Sequence, residues 1–377
     1  MYVCIVASAF PTVKYPLSGI FELDQAKALK TAGCKVVLLT VDLRSIRRLR
    51  RWGIYHTIRE GIDIYNISLP LGRVSGKIFH EVGKRALFSL FKKVVKEQGM
   101  PDIVHAHFTG MGAITSVLKI KYRLPFVVTE HGSNMNRDII GLKDIFLGNL
   151  AYNNVDQLIS VSSSLQKHIG KNFGVKSVVI PNIVDVTNIM RSPVPHEIFT
   201  FISIGNLIEG KGFDLLIKAF EIFKDRPIRL LIIGEGEQRA FLNTLIADLG
   251  LEKQVVLLGL KSRQEISAYL NGSDVFILAS RGETFGVVYI EALLAGLPVI
   301  ATKCGGPEDF VNDTNGLLIE CEDVKGLEDA LLRMYEKIDD YDGNKISSDC
   351  LQRFSPHAVA SALMTVYRQI LNANEGN

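Results

Sequence analysis

Short runs rich in Val, Ile and Leu alternate with helix-length amphipathic stretches along almost the whole of this chain. A parallel strand pair needs a connection of a dozen or more residues, usually a helix, so this alternation points to parallel sheets covered by crossover helices. Strands are expected at 2–7, 35–40, 62–67, 103–107, 126–129, 157–161 and 177–180, and again at 199–204, 229–233, 255–257, 275–278 and 298–301. At 377 residues the chain exceeds what one ordinary core accommodates and suits two domains. The turn-rich stretch Pro181-Asn-Ile-Val-Asp185, followed by Pro193 and Pro195, is the natural linker. The fold expected is therefore α/β, with two Rossmann-like doubly wound domains at 1–185 and 186–355 facing across a cleft. A closing helix falls within 356–377, and the sequence leaves open whether it crosses back to the first domain.

Doubly wound sheets bind ligands at the carboxyl ends of their strands, so chemistry is sought in the loops there. The richest is Ser280-Arg-Gly-Glu-Thr-Phe-Gly286, which opens an apolar helix. Gly286 marks the change from loop to helix, so unpaired first-turn amides and the positive dipole end are offered to an anion, with Thr284 as the expected cap. Glu291 follows inside the apolar run Val287 to Leu294. A carboxylate there needs a hydrogen-bonding partner, which a sugar diol supplies, or it is an ordinary surface glutamate on an amphipathic helix. Gly205-Asn-Leu-Ile-Glu-Gly-Lys-Gly212 follows the first strand of the second domain and places Lys211 near another helix start, an arrangement suited to a diphosphate. Its first two residues, Gly205 and Asn206, belong to the same loop. In the first domain, the loop Ser8 to Gly19 offers Gly19 for close approach of a phosphate and Ser18 as a cap. His131, in Val128-Thr-Glu-His-Gly132, ends a strand where it could hydrogen-bond a sugar or phosphate or act as a base. His105 and His107 share one strand face without a third ligand nearby, so no metal site is expected. Gly234-Glu-Gly236 lacks the third glycine of a dinucleotide fingerprint, and Glu235 and Glu237 would repel a pyrophosphate.

Composition narrows the class. The chain is 47% hydrophobic and 22% charged, as in ordinary soluble proteins, and its five cysteines are scattered without a C-x-x-C pair. No signal-peptide pattern or membrane-spanning apolar run is present, so a cytoplasmic location is expected. Charge is unevenly spread: residues 1–182 hold 25 Lys/Arg against 12 Asp/Glu, whereas 183–377 hold 18 against 28. The excess is densest in Leu43-Arg-Ser-Ile-Arg-Arg-Leu-Arg-Arg-Trp52 and continues to Lys96. Basic residues across 44–96, interleaved with Leu43, Ile46, Leu49 and Trp52, suit peripheral contact with an anionic membrane at the inner face of the cell membrane, with a solvated helix face as the alternative. No aromatic stacking series accompanies them, so nucleic acid is not an expected partner.

Taken together, Gly205 to Gly212, Gly282-Glu-Thr-Phe-Gly286 through Glu291-Ala292, Gly296-Leu-Pro-Val299, Gly305-Gly306 and Pro181-Asn182 resemble the family 4 retaining glycosyltransferases of the GT-B fold. The resemblance extends to Asp102-Ile-Val-His-Ala-His107 and the closing helix with Tyr367. It implies transfer of a hexose-type sugar from a nucleotide diphosphate sugar, UDP- or GDP-linked, to a saccharide acceptor, with retention of configuration and no cofactor or metal. The catalytic set it implies is His131, Lys211 and Glu283, with Glu283 holding the donor sugar and Lys211 the diphosphate. Gly19, Gly205, Asn206, Lys211, Thr284, Phe285, Gly286, Val287 and Glu291 would bind the donor, Glu291 through the ribose. The chain departs from the family pattern in carrying Asn206 where arginine is usual, and a single Gly19 where many members have a glycine pair. The first-domain basic segment motivates a lipid-linked saccharide acceptor, as in surface polysaccharide or glycoconjugate assembly. The alternatives are an inverting transferase using His131 as base, a nucleotide-sugar epimerase, and a non-enzymatic saccharide-binding protein.

Overall fold

A computed structural model describes residues 1–16, 18–45, 47, 50–184, 189 and 191–375. The chain divides into two compact units, one of Met1–Ile183 with Pro356–Asn377, the other of Val184–Ser355. The expected boundary between residues 185 and 186 lies outside the described residues, as do Ile46 and Leu49.

The first unit is built on an eight-stranded sheet. Its strands are β1 (Tyr2–Ala7), β2 (Lys35–Asp42), β3 (Gly53–Arg59), β4 (Ile62–Ser68), β5 (Ile103–His107), β6 (Phe126–Glu130), β7 (Gln157–Ser160) and β8 (Ser177–Val179). Their order is β3-β4-β2-β1-β5-β6-β7-β8, parallel except where β3 pairs antiparallel with β4. Helices α1 (Ile20–Thr31), α2 (Gly76–Gln98), α3 (Phe108–Tyr122), α4 (Leu142–Tyr152) and α5 (Ser163–Phe173) connect them. The central strands read as unbroken apolar runs, such as Val3 to Ala7, because a parallel sheet covered by helices is buried on both faces. Sequence reading omitted β3. Its residues alternate between half-buried and exposed at the sheet's edge, and they directly follow the basic segment that was read as a surface helix or membrane element. That segment is in fact partly turned inward: Arg44 and Arg50 both pair with the buried Asp42, at 2.7 and 2.8 Å, and Arg50 stacks on Trp52.

The second unit has six parallel strands, β9 (Phe199–Ile204), β10 (Ile228–Ile233), β11 (Val255–Gly259), β12 (Val275–Leu278), β13 (Val299–Thr302) and β14 (Gly316–Ile319), in the order β11-β10-β9-β12-β13-β14. The short β14 was not anticipated from the sequence. Crossovers run through α6 (Phe213–Ala219), α7 (Arg239–Asp248), α8 (Arg263–Asn271), α9 (Val287–Leu294) and α10 (Val324–Glu336), followed by α11 (Gly343–Phe354). The helix that starts beyond Lys211 is α-helical only to Ala219 and continues as a 3₁₀ turn at Phe220–Phe223.

The last helix, α12 (Pro356–Glu375), belongs to the first unit. Val359, Ala360, Leu363, Val366 and Tyr367 recur at helical spacing and join the core that β1, β2 and α1 form with Val3, Ile5, Leu38, Leu23 and Leu29. Among the described residues no helix is long and apolar enough to cross a membrane. Leu363 is fully buried. Leu363→Ala should therefore cost the first unit about 2–5 kcal/mol, seen in calorimetry as a fall in one unfolding transition with the other unmoved. Two unmoved transitions would show that α12 adds nothing to that core.

Candidate functional site

Strand order reverses between β9 and β12 in the second unit, because the chain steps outward from β9 through β10 to β11, then returns to β12 on the opposite side. A crevice at the carboxyl ends of two such neighbours is where doubly wound sheets place ligands. The loops there are Gly205–Gly212 and Ala279–Gly286, and they are tied together. The Arg281 amide donates to the Gly210 carbonyl at 2.9 Å, and its guanidinium forms a fork on the Asp214 carboxylate at 3.0 and 3.1 Å. The same guanidinium reaches the Glu209 carbonyl and Glu322. Arg281 thus fixes the first loop to the second.

Within this frame Glu283 is 9% exposed, and one carboxylate oxygen accepts from Lys211 Nζ at 2.5 Å and from Ser280 Oγ at 2.8 Å. Its backbone is pinned between Cys304 and Gly306, by hydrogen bonds of 3.0 and 2.9 Å. The two residues expected to serve sugar and diphosphate are therefore in contact with each other. Lys211 sits in the 3₁₀ turn Glu209–Lys211 just ahead of α6. Gly286 adopts φ 89° at the start of α9, a left-handed conformation in which an added Cβ would lie 2.8 Å from the Tyr289 ring. No side chain caps that helix, so its first amides stay available. Thr284 is accordingly not the expected cap; its hydroxyl is buried without a hydrogen-bond partner. Phe285 is buried against Phe310 and Phe354 and holds the loop to its own unit. Val287 begins α9, and Glu291 lies one turn further on, half-buried. Asn206 is exposed beside the half-buried Gly205. Gly234 and Gly236 are explained by packing: a Cβ on either would strike the Gly205 or Leu207 carbonyl, so these glycines admit the neighbouring loop rather than a phosphate.

In the first unit the reversal falls between β1 and β5. Gly19, at φ 71°, starts α1 with its Cα against the Ala9 carbonyl, where a Cβ would clash at 2.2 Å. Ser18 does not cap that helix; its hydroxyl accepts from Arg44 instead. Phe21, two residues beyond Gly19, stacks on His131 at 5.6 Å and so joins the loop after β1 to the end of β6. His131 is the middle of a chain of rings. Its Nδ1 meets Asn182 Oδ1 at 2.7 Å and its Nε2 meets His107 Nδ1 at 2.9 Å, while His105 bridges Tyr367 and Thr129. With Nδ1–H donated to Asn182, Nε2 must accept from His107, which leaves neither ring nitrogen of His131 free to take a proton. The use of His131 as a general base is thus not supported by this arrangement. Burial holds the His131 pKa down at about 4 and that of His105 at about 3, and lowers that of His107 well below the usual value, so all three rings are neutral near pH 7. The neighbouring Glu130 is saturated by Thr109, Tyr152 and the amides of His131 and Gly132. Phe108, the first residue of α3, holds φ 65°, unusual for a bulky residue, and its ring packs on His131.

The sequence reading missed Arg281, Asp214 and Ser280 in one unit, and the ring partners Phe21, His107 and Asn182 in the other. Asn182 lay within a recognised dipeptide. Nothing in the sequence signals the strained Phe108.

Residues 21–188 match the model of "Glycosyltransferase Family 4" and residues 187–342 that of "Glycosyl transferases group 1". Together with the strand orders and the two glycine-framed loops, these matches define the class: the chain belongs to the family 4 glycosyltransferases of the GT-B fold. It is 26% identical to the "Putative teichuronic acid biosynthesis glycosyltransferase TuaC" of Bacillus subtilis over 88% of this chain and 89% of that protein. It is 30% identical to the Campylobacter jejuni "N-acetylgalactosamine-N,N'-diacetylbacillosaminyl-diphospho-undecaprenol 4-alpha-N-acetylgalactosaminyltransferase", over 54% of this chain and 57% of that enzyme. Among solved structures it resembles Anabaena HepE in complex with UDP and glucose, with TM-score 0.74 and 19% identity over 98% of this chain and 100% of that one.

The depressed histidines generate a pH test. Between about pH 4 and 6.5 the unfolded chain binds protons on these rings that the folded chain does not, so their contribution to stability falls as pH drops through that window. Glu22, whose pKa is raised to about 7 by burial, acts in the opposite direction, so the comparison with a variant is what discriminates. His131→Gln should unfold at lower urea than the parent at pH 7, with the gap narrowing by roughly 1–3 kcal/mol by pH 4. A gap independent of pH would mean that His131 is not held neutral.

Proposed function

We propose that this glycosyltransferase moves a hexose-type sugar, with retention of configuration, from a UDP- or GDP-linked donor to a lipid-linked saccharide in surface polysaccharide or glycoconjugate assembly. The observation that carries the reading is the Lys211–Glu283 contact at the β9/β12 reversal, beside the uncapped start of α9. A cation and a carboxylate held together there are the two halves of a site for a sugar diphosphate. In the free protein each satisfies the other. A bound donor would exchange that contact, its diphosphate taking Lys211 and the α9 amides, and its sugar hydroxyls taking Glu283. Glu291 would hold the ribose. Lys211 and the amides then face the oxygen that gains charge as the bond from the sugar's anomeric carbon to the diphosphate breaks. The acceptor oxygen attacks that carbon on the same face, and its proton passes to the departing phosphate. Charge neutralisation by Lys211 and the helix start gives the site a metal-independent route. Glu283, engaged by hydroxyls away from the anomeric carbon, is a positioning group rather than a nucleophile, and His131 supports the reacting face through packing.

The complex of HepE with UDP and glucose supports a nucleotide-sugar donor, and the names of the Bacillus and Campylobacter relatives support a polymer or undecaprenyl diphosphate-linked acceptor. Residues 1–185 would bind the acceptor and 186–355 the donor. We place the protein in the cytoplasm, at the inner face of the cell membrane, with contact through basic residues 44–96. Because Arg44 and Arg50 are engaged by Asp42, that contact rests mainly on the exposed Lys77, Arg85, Lys92 and Lys96 of α2.

Lys211→Ala and Glu291→Ala should each raise the apparent donor KM, or lower turnover, by about tenfold or more, a loss near 1.4 kcal/mol of binding or transition-state stabilisation. Unchanged donor kinetics in both variants would remove the assignment. Proton NMR of the product should show the donor's anomeric configuration, and an inverted product would exclude retention.

A further inference from the structure

Three loops of the second unit meet on one guanidinium. The Arg281 amide donates to the Gly210 carbonyl and its side chain to that of Glu209, the two residues directly before Lys211 in its 3₁₀ turn. The same guanidinium forks on Asp214 of α6 and reaches Glu322, in the loop after β14. A planar guanidinium carries five N–H donors in a fixed fork, so one side chain can hold several acceptors in a set geometry. Glu322 holds φ 60°, a left-handed conformation that a glutamate adopts only at a cost. Two other residues with positive φ have local reasons for it: Arg123 caps the end of α3, and Glu60 turns the chain between β3 and β4. Glu322 does neither, and its carboxylate goes to Arg281. Beside it, Cys321 Sγ lies 3.8 Å from the Ser280 carbonyl, so the loop after β14 packs on the residue just before Arg281. The two acidic arms differ: the Asp214 side chain is 16% exposed and that of Glu322 57%, which makes the first a fixed anchor and the second an arm open to solvent.

We propose that Arg281 is a positioning residue for the donor: with Asp214 and Glu322 it sets where the Lys211 ammonium stands, without itself touching the donor. The inference rests on the Lys211–Glu283 donor site proposed above. Although a guanidinium beside a diphosphate site is by chemistry a phosphate ligand, this one is already engaged by two carboxylates and a carbonyl. Its charge is therefore used inside the protein, and the cation left for the donor is Lys211. Lysine is a compact charge on a flexible four-carbon stem, so where its ammonium can stand depends on where its backbone starts. Arg281 holds the two carbonyls that fix that start, and Glu283 lies two residues further along the same loop as Arg281. One residue thus registers both halves of the Lys211–Glu283 pair. Releasing the grip would leave Lys211 in place in the sequence but misplaced in the site, and a shift of about 1 Å is enough to be costly where charges must meet a bound substrate.

The test is a double-mutant cycle on the full chain, read by titration calorimetry with UDP and with GDP in the absence of acceptor. Lys211→Ala and Arg281→Ala should each weaken binding of the nucleotide that the parent takes by about tenfold. The double variant should bind no more than about twofold more weakly than Lys211→Ala alone, because a residue that acts through Lys211 then has nothing left to position. A further tenfold loss in the double variant would overturn the proposal, and so would unchanged affinity in Arg281→Ala. Glu322→Asn covers the case in which Arg281→Ala fails to fold: asparagine tolerates the left-handed turn, and its shorter, uncharged side chain releases the solvent-exposed arm. This variant should match the parent in unfolding temperature yet bind the nucleotide about threefold more weakly, and only where Lys211 is present. A merely structural role would lower the fraction of protein able to bind and leave the affinity of the remainder unchanged, and that result in Glu322→Asn would also overturn the proposal. Failure of the parent to bind either nucleotide, or unchanged affinity in Lys211→Ala, would remove the donor-site reading and this inference with it. Weakened binding in Lys211→Ala with none in Arg281→Ala and Glu322→Asn strikes the inference alone.

Discussion

A nearly buried carboxylate must be matched, and Glu283 is matched by an ammonium and a hydroxyl supplied from the two loops of the second unit's strand reversal. The rest of that site follows from keeping the match in place. Arg281 forks on Asp214 and fixes the loop after β9 to the loop after β12, so Lys211 arrives where Glu283 is. Gly234 and Gly236 give way to the same loop's backbone, and Gly286 takes the left-handed turn that aims the first amides of α9 at the site. In the function proposed here, a donor diphosphate would take over the Lys211 ammonium and sugar hydroxyls would replace it at Glu283.

The first unit organises itself differently, around neutral rings instead of an ion pair. Phe21, His131, His107 and His105 form a stacked series that runs from the start of α1 across β6 and β5 to Tyr367 of α12. Each link is a hydrogen bond or ring contact in a dry environment, where neutral groups cost less than charged ones. The closing helix thereby reaches the carboxyl edge of the sheet through His105 and Thr129 as well as through its apolar face.

The parallel architecture was legible because buried parallel strands are unbroken apolar runs, and twelve of the fourteen strands begin at the residue expected or within one of it, as β1 at Tyr2 and β9 at Phe199 do. What escaped lay where that signal weakens: β3, an edge strand with Ile54, His56 and Ile58 facing out, and β14, four residues opening on a glycine. The caps failed for a physical reason. Thr284 and Ser18 have the right chemistry near a helix start, but both helices begin at a left-handed glycine, which places those side chains off the axis of the first turn. Lys211 and Glu283 were legible as polar residues in loops after strands, whereas their contact was not, being 72 residues apart in sequence. Likewise His131 was visible as a strand-ending histidine, but its partners His107 and Asn182 lie 24 and 51 residues away, and only the fold reveals that they consume both its nitrogens.

The central claim is that the β9/β12 reversal is a nucleotide-sugar site, and the most direct measurement is a thermal-shift panel of UDP-, GDP- and ADP-sugars on the unaltered protein. A ligand that binds only the folded state raises the unfolding temperature in proportion to its affinity and concentration. The account predicts that one nucleotide class stabilises the protein well above the others, and that the corresponding free sugar does not. No shift with any of the three, at concentrations where related donors saturate their enzymes, would contradict it.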